Sequence, residues 1–331
     1  MMNYKNILAS LLAGETLDEA KSYELMKQIG EGVFSDIECT SLITAMSCRA
    51  ISLYELMGFR RALLDLCRPF DIGSIDAIDL CGTGGDGKNS FNISTTSSFV
   101  VAASGYKVAK HGNYGVSSIT GSSNLLESLG FEFSNDASVL LKSLDKYNLC
   151  FIHAPLFHPA LKNVAHIRKS LGVSTFFNML GPLVNPAQPT KQLVGVFSLT
   201  LARMYNYLLQ EDNKDYAVVH SLDGYDEVSL TADFQYLFNS GEKIISPIEF
   251  GFPTNTPESI WGGENIGAAR AIFLNVLQNK ATEAQHNVVV ANAALAIKCF
   301  EPRRSFTDCV SQANETIISG KAYKLLSTML D

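Results

Sequence analysis

The chain has 331 residues, long enough for one large domain or for a large domain joined to a small one. Hydrophobic residues make up 47% and charged residues 18%, which supplies ample core for a soluble globular protein; the net charge of −7 argues against broad nucleic-acid binding but not against a small anion held by local amides. Seven scattered cysteines with no Cys-x-x-Cys pair, no charged-then-apolar leader and no run of about 18 apolar residues lead us to expect a cytoplasmic protein with reduced thiols and no membrane partner.

Residues 1–70 read as four short helices. Thr16 with Glu19, Ser35 with Glu38 and Ser52 with Glu55 each fit the Ser/Thr-x-x-Glu capping box, and each precedes apolar residues at helical spacing. Gly30 and Gly32 separate two of these helices, and Pro69 closes the last. Such a bundle either offers a surface to a partner or packs as an extension of the core.

From Ile75 the pattern changes to alternating strand and helix. Ala77 to Cys81 is a short apolar run, read as a buried strand that feeds a tight loop. Gly82, Gly84, Gly85 and Gly87 remove the barrier to positive φ, and Asn92, Ser94, Thr95 and Thr96 stand before an apolar helix from Ser98 to Ala103. Converging backbone N–H groups and a helix N-terminus favour a phosphate or pyrophosphate. A βα turn without a ligand is the plain alternative. Neither the Walker spacing nor the dinucleotide fingerprint is present.

A strand from Tyr106 to Asn113 comes next, then a second Gly/Ser-rich loop, Gly115 to Ser123, before a helix from Asn124 to Leu129. Two such loops at strand ends would face each other across the carboxyl edge of a parallel sheet, with Lys110 as a mobile cation between them. A helix through Lys162, Val164, Ile167 and Arg168 follows, then a Gly/Pro-punctuated loop from Phe176 to Pro186. The guanidinium fork of Arg168 suits a carboxylate, although an arginine near a helix C-terminus is also favoured by the dipole alone. Gly195 to Ser198 and Tyr216 to His220 read as strands around a helix at Leu201 to Leu209. Asp226 and Glu227 follow; on a loop both can turn inward as hard oxygen ligands for magnesium, and otherwise they are an ordinary surface acidic pair. The remainder, including a buried helix from Val288 to Phe300 and an amphipathic one from Phe306 to Leu330, reads as scaffold.

Gly82-Thr-Gly-Gly-Asp-Gly87, Asn92-Ile-Ser-Thr95, Lys110-His-Gly-Asn113 and the later Ser117, Ser118, Gly121 and Ser122 resemble the signature of the anthranilate phosphoribosyltransferase family. The resemblance extends through Arg168, Gly181-Pro-Leu-Val-Asn-Pro186 and the Asp226–Glu227 pair to essentially the whole chain. It implies an α/β fold, with a small N-terminal helical domain (1–70, with helices near 163–180 as a candidate addition) and a large α/β domain (71–331) built on a central, mainly parallel sheet. It implies binding of phosphoribosyl pyrophosphate (PRPP) by Gly82, Gly85, Asp86, Ser90, Asn92, Ile93, Ser94, Thr95, Lys110, Ser118 and Ser122. It implies anthranilate at Gly82, Asn113 and Arg168, two magnesium ions at Ser94, Asp226 and Glu227, no covalent nucleophile, and a homodimer formed through the helical domain. Asp86 is aimed at Lys110 or a ribose hydroxyl. Tyr114 and Asn124 depart from the family's usual Arg and Asp. Two other readings stay open: an enzyme like the pyrimidine nucleoside phosphorylases, and a nucleic-acid-binding relative without catalysis.

Overall fold

The computed structural model describes residues 2–115 and 120–331. The chain packs as two compact units, one made of Met1–Asp71 with Ala154–Gln188, the other of Ile72–His153 with Pro189–Asp331.

The first unit opens with helices α1 (Tyr4–Leu12), α2 (Glu19–Gly30), α3 (Asp36–Ser47) and α4 (Leu53–Asp65). Ser35 with Glu38 and Ser52 with Glu55 form the expected reciprocal caps. Thr16 with Glu19 does not. Asp18 caps α2 instead, accepting the Lys21 N–H at 2.8 Å, and Glu19 pairs with Arg61. An aspartate adjacent to the helix is as good a cap as threonine, so the nearer acid wins. Glu55 is fully buried and takes the Leu17 N–H at 3.0 Å as well as Arg49, so this cap also fixes the approach to α2. A Cβ at Gly58 would lie 2.6 Å from the Ser22 Cβ, so only glycine lets α4 approach α2 this closely.

The second unit begins with β1 (Ala77–Gly82), α5 (Ile93–Ala103), β2 (Lys107–Gly112), α6 (Ser122–Ser128), α7 (Ala137–Tyr147) and β3 (Leu149–His153). The chain then adds α8 (Ala154–Phe157) and α9 (Lys162–Leu171) to the first unit, where Asn163 Nδ2 donates to Gly30 O at 2.8 Å and Phe176 packs on Phe59 at 4.9 Å. The second unit resumes with β4 (Lys191–Gly195), α10 (Leu199–Glu211), β5 (Asp215–Ser221), the hairpin β6 (Phe234–Phe238) and β7 (Gly241–Ile245), and α11 (Ile266–Leu277), α12 (Glu283–Phe300), α13 (Phe306–Ile318) and α14 (Lys321–Leu330).

The seven strands lie in the order β3-β2-β1-β4-β5-β6-β7, parallel as far as β5 and antiparallel from there. The parallel strands are buried almost throughout, as a sheet covered on both faces requires. The α12 helix packs on α5, β4 and β5 and carries a nearly continuous buried run from Val288 to Ile297.

Several boundaries and one hairpin differ from expectation. The α5 helix starts at Ile93 rather than Ser98, because its polar first turn bonds back to the helix: Thr96 Oγ1 to Asn92 O and Ser98 Oγ to Ser94 O, each 2.8 Å. β4 ends at Gly195, where the sequence pattern places the start of a strand. The C-terminal helix breaks at Gly320, whose φ of +74° no continuing helix adopts. The β6–β7 hairpin lies in a stretch for which the sequence reading assigns no strands.

Candidate functional site

The parallel strands bring Gly82, Gly112, His153, Gly195 and Ser221 to one edge of the sheet, where ligands of open α/β sheets bind. Three loops rise from that edge, after β1, β2 and β5.

In the β1 loop, Gly84, Gly85 and Gly87 have φ of 66°, 79° and 71°, the conformation their sequence suggested. Gly82 is glycine for another reason. A Cβ there would overlap the Asp226 carboxylate, and one on Gly195, its partner across β1 and β4, would overlap the Asp226 carbonyl. The acidic segment of the β5 loop is thus seated directly on two strand ends. Asp226 Oδ2 accepts the Gly84 N–H at 2.6 Å, and Glu227 Oε1 accepts the Ser94 N–H at 2.9 Å, in the first turn of α5. Ser90 Oγ donates to Glu227 Oε2 at 3.4 Å. The glycine loop, the helix N-terminus and the acid pair form one connected structure.

Asp226 is buried, and burial, the neighbouring Glu227 and Asp86 push its carboxyl well above the usual range. Glu227 is pushed up to about 7, chiefly by burial, against the opposing effect of the Ser94 N–H. Two carboxylates held this close in low dielectric call for a cation. Among the described residues no group of three or more His, Cys, Asp or Glu forms a metal cluster. The set fits magnesium, which keeps few protein carboxylates and completes its shell with water and phosphate oxygens.

Two assignments change. Lys110 is not a mobile surface charge: it is 2% exposed, and its ammonium donates to the Leu80 carbonyl within the sheet, from where it opposes the rise in the Glu227 pKa. The loop's exposed cation is Lys88, whose ammonium lies 5.0 Å from the Tyr225 ring. Nor does Asp86 pair with Lys110. Its Oδ1 accepts the Lys88 N–H at 3.0 Å and its Oδ2 lies 3.5 Å from the Asp226 N, so it braces the turn and adds negative charge beside the pair. Of the remaining predicted residues here, Asn92 Nδ2 donates to Thr120 O at 3.0 Å, while Ile93 and Thr95 are buried in the first turn of α5 and Gly85 is half-buried in the loop.

In the β2 loop Asn113 is exposed, with Oδ1 accepting the Tyr114 N–H at 2.8 Å. Ser122 Oγ lies 3.2 Å from both N and O of Asn113, and fits there because Gly112 has no Cβ. Asn124 Oδ1 accepts two amides, Gly115 and Gly121, each at 3.0 Å, and so closes the neck of the loop. Tyr114 holds the same segment from outside: its hydroxyl donates to Glu127 Oε1 at 2.6 Å, and its ring meets His153 edge-on at 5.0 Å. Ser117 and Ser118 lie outside the described residues.

In the first unit, Arg168 stands in the last turns of α9 with its guanidinium 5.0 Å from the Phe177 ring. Burial pulls its pKa down, and among the described residues no carboxylate pairs with it.

Sequence reading missed three supports. Trp261 and Gly262 bridge to the β1 loop, Ser90 to Trp261 and Gly262 N–H to Asn89 O at 2.8 Å. Asp79, in a strand read as apolar, is fully buried and accepts the His111 N–H at 3.1 Å. Asn292, the one polar side chain from Val288 to Ile297 in α12, bonds the β5 loop.

Residues 74–323 match the family described as the a/b domain of the glycosyl transferase family, and residues 5–67 its helical bundle domain. The chain is 50% identical over 322 residues to the anthranilate phosphoribosyltransferase of Christiangramia forsetii, covering 96% of each, and 50% identical over 328 residues to that of Flavobacterium psychrophilum, covering 98% of each. The crystal structure of the anthranilate phosphoribosyltransferase from Thermus thermophilus matches with a TM-score of 0.89 at 32% identity, over 98% of both chains. The Saccharomyces cerevisiae enzyme in complex with PRPP and Mg matches with a TM-score of 0.90 at 25% identity, over 99% of this chain and 97% of that one. With the glycine loop, the acid pair and both domains in place, this chain belongs to the anthranilate phosphoribosyltransferase family.

Proposed function

We propose that the chain transfers the phosphoribosyl group of PRPP to the amine of anthranilate, giving N-(5-phosphoribosyl)anthranilate and pyrophosphate, in tryptophan biosynthesis. The observation that carries this reading is the joining of the glycine loop and the α5 N-terminus to the acid pair through Asp226–Gly84 and Glu227–Ser94. A polyphosphate with its divalent cation needs both signs in one place.

In the reaction the amine nitrogen bonds to C1 of the ribose as the C1–oxygen bond to pyrophosphate breaks, with inversion at C1. The proton lost from nitrogen goes to water or to the departing pyrophosphate. No covalent nucleophile is required, so the work of the protein is positioning and charge stabilisation. With the Thr83 N–H taken by Gly195 O and the Gly84 and Ser94 N–H groups by the acid pair, Gly85 in the loop and Thr95 in the first turn of α5 orient the pyrophosphate, with Ser90, Asn92 and Ser122 at the rim. Asn113 meets anthranilate, and Arg168 holds its carboxylate. Lys110, buried in the sheet on the Leu80 carbonyl, offsets charge on Glu227. Asp226, Glu227 and the Ser94 hydroxyl would hold magnesium, which neutralises charge on the leaving group.

The direct test is the loss of anthranilate fluorescence on adding PRPP and magnesium, with nucleoside plus phosphate as the control. Turnover only in the control would establish the phosphorylase reading and remove this one.

The helical unit also leaves apolar side chains open to solvent: Leu12 (71%) on α1, Ile37 (78%) on α3 and Tyr54 (63%) on α4. These faces support a homodimer formed through this unit, the commonest closed assembly. Light scattering at micromolar concentration is expected to give twice the chain mass; a monomer would remove the dimer and leave the enzyme reading intact. All seven cysteines are free thiols, which supports a reducing compartment, and burial pushes Cys150 and Cys299 up to about 12, leaving those two unreactive. No helix among the described residues is long and apolar enough to cross a membrane.

A further inference from the structure

The α12 helix is buried from Val288 to Ile297, and over that run every side chain but one is apolar. The exception is Asn292, 4% exposed. A buried carboxamide is costly unless all its polar atoms are partnered. Here they are, and chiefly by a single residue of the β5 loop. Asn292 Oδ1 accepts the Val228 N–H at 3.2 Å, and Nδ2 donates to Val228 O and to Val288 O, each at 2.8 Å. Val228 follows Glu227 directly. The carbonyl of Glu227 is in turn held by Ser221 Oγ at 2.7 Å. Both polar atoms of the peptide joining residues 227 and 228 are therefore fixed by side chains. This segment lies outside the named strands, so those side chains do what a strand partner would do elsewhere. A small cavity beside the pair has Ser94, Leu80, Val219 and Asn292 in its wall, so a shift of this backbone has somewhere to go.

We propose that Asn292 is a positioning residue of the reaction: by holding both polar atoms of Val228, it sets the backbone from which Glu227 presents its carboxylate to the metal–pyrophosphate end of the substrate. This rests on the function proposed above. Asn292 touches neither substrate nor metal; it acts through Glu227, and its loss should weaken the metal–pyrophosphate end while sparing anthranilate. Residues that orient metal-binding side chains typically change metal affinity about 10- to 100-fold when replaced.

The test uses Asn292→Ala and Asn292→Ser in the full chain, the serine variant covering the case in which alanine does not fold. Thr316→Val, a buried polar loss in α13, serves as the control for general destabilisation. Two readouts are followed: binding of manganese pyrophosphate by calorimetry, which needs no turnover, and the magnesium and anthranilate dependence of the rate. Asn292→Ala is expected to weaken manganese pyrophosphate about 10-fold or more and to raise the half-saturating magnesium in proportion, with the KM for anthranilate within about 3-fold. Manganese pyrophosphate affinity within about twofold of wild type in a folded variant would overturn the proposal. So would equal losses on both substrates that Thr316→Val reproduces at matched Tm. Wild-type binding of manganese pyrophosphate without any turnover of anthranilate would instead remove the function proposed above, and Asn292 would then stand or fall on the calorimetry alone.

Discussion

A chain carrying both Asp226→Asn and Glu227→Gln is expected to keep its fold and lose magnesium-dependent turnover. Removing one preorganised charge-stabilising group typically costs about 10²–10³ in rate, so the double substitution should cost ~10³-fold or more. The sites of both side chains tolerate neutral amides: each carboxylate accepts a backbone N–H, from Gly84 and Ser94, and a carboxamide oxygen can accept the same bond. Two neighbouring acidic groups, Asp226 buried and Glu227 half-buried, become neutral at the same time. Because burial and neighbouring carboxylates (Glu227 and Asp86 for Asp226, Asp86 for Glu227) raise both pKa values in the folded chain, ionising them near neutral pH costs stability. Metal-free Tm is therefore expected at or above the wild-type value while activity is lost. Near-normal turnover at ordinary magnesium would show that the pair takes no part in the reaction; a collapse in Tm would show that it is structural.

Arg168→Ala is expected to reduce kcat/KM for anthranilate while changing the apparent affinity for PRPP only a few-fold. The guanidinium is desolvated, lies against the Phe177 ring and is paired with no carboxylate among the described residues, an arrangement that favours an incoming anion. A charge-assisted hydrogen bond to a carboxylate contributes roughly 1.5–3 kcal/mol, or about 10- to 150-fold in kcat/KM. Arg168→Lys should recover only part of this, since an ammonium lacks the planar fork. Equal damage to PRPP and anthranilate in a folded Arg168→Ala protein would place the arginine on the phosphate side.

The parts of the fold that were legible in the sequence are those whose causes are local. Ser35–Glu38 and Ser52–Glu55 cap helices three residues on, and Gly84, Gly85 and Gly87 adopt positive φ because their own backbones require it. Thr16–Glu19 failed by the same logic, because Asp18 competed for the same helix end. The β6–β7 hairpin also has a local signal: Phe234, Tyr236 and Phe238 alternate ahead of an Asn-Ser-Gly turn. Other features depend on partners far along the chain. Nothing near Asn292 announces Val228, 64 residues earlier, and nothing near Lys110 says that its ammonium ends on Leu80 rather than in solvent. Burial decides both, and burial is a property of the assembled sheet. Tyr114, a departure from the family pattern, shows its compensation only in three dimensions, through Glu127 and His153.

The seating of Asp226 on Gly82 and Gly195 has a consequence for how sequences of this kind can drift. Each glycine is held in place by an acidic residue in a distant segment, since a methyl group at either position would occupy space that the Asp226 segment fills. A lineage that abandons the acidic pair is released from that restriction and is free to accumulate alanine or serine at both strand ends. A lineage that keeps the pair is not. Across divergent descendants the two glycines and the acids should therefore be retained or lost together, as a correlated set. The small residues at the ends of β1 and β4 then become an inherited record of whether the acidic loop still sits above them.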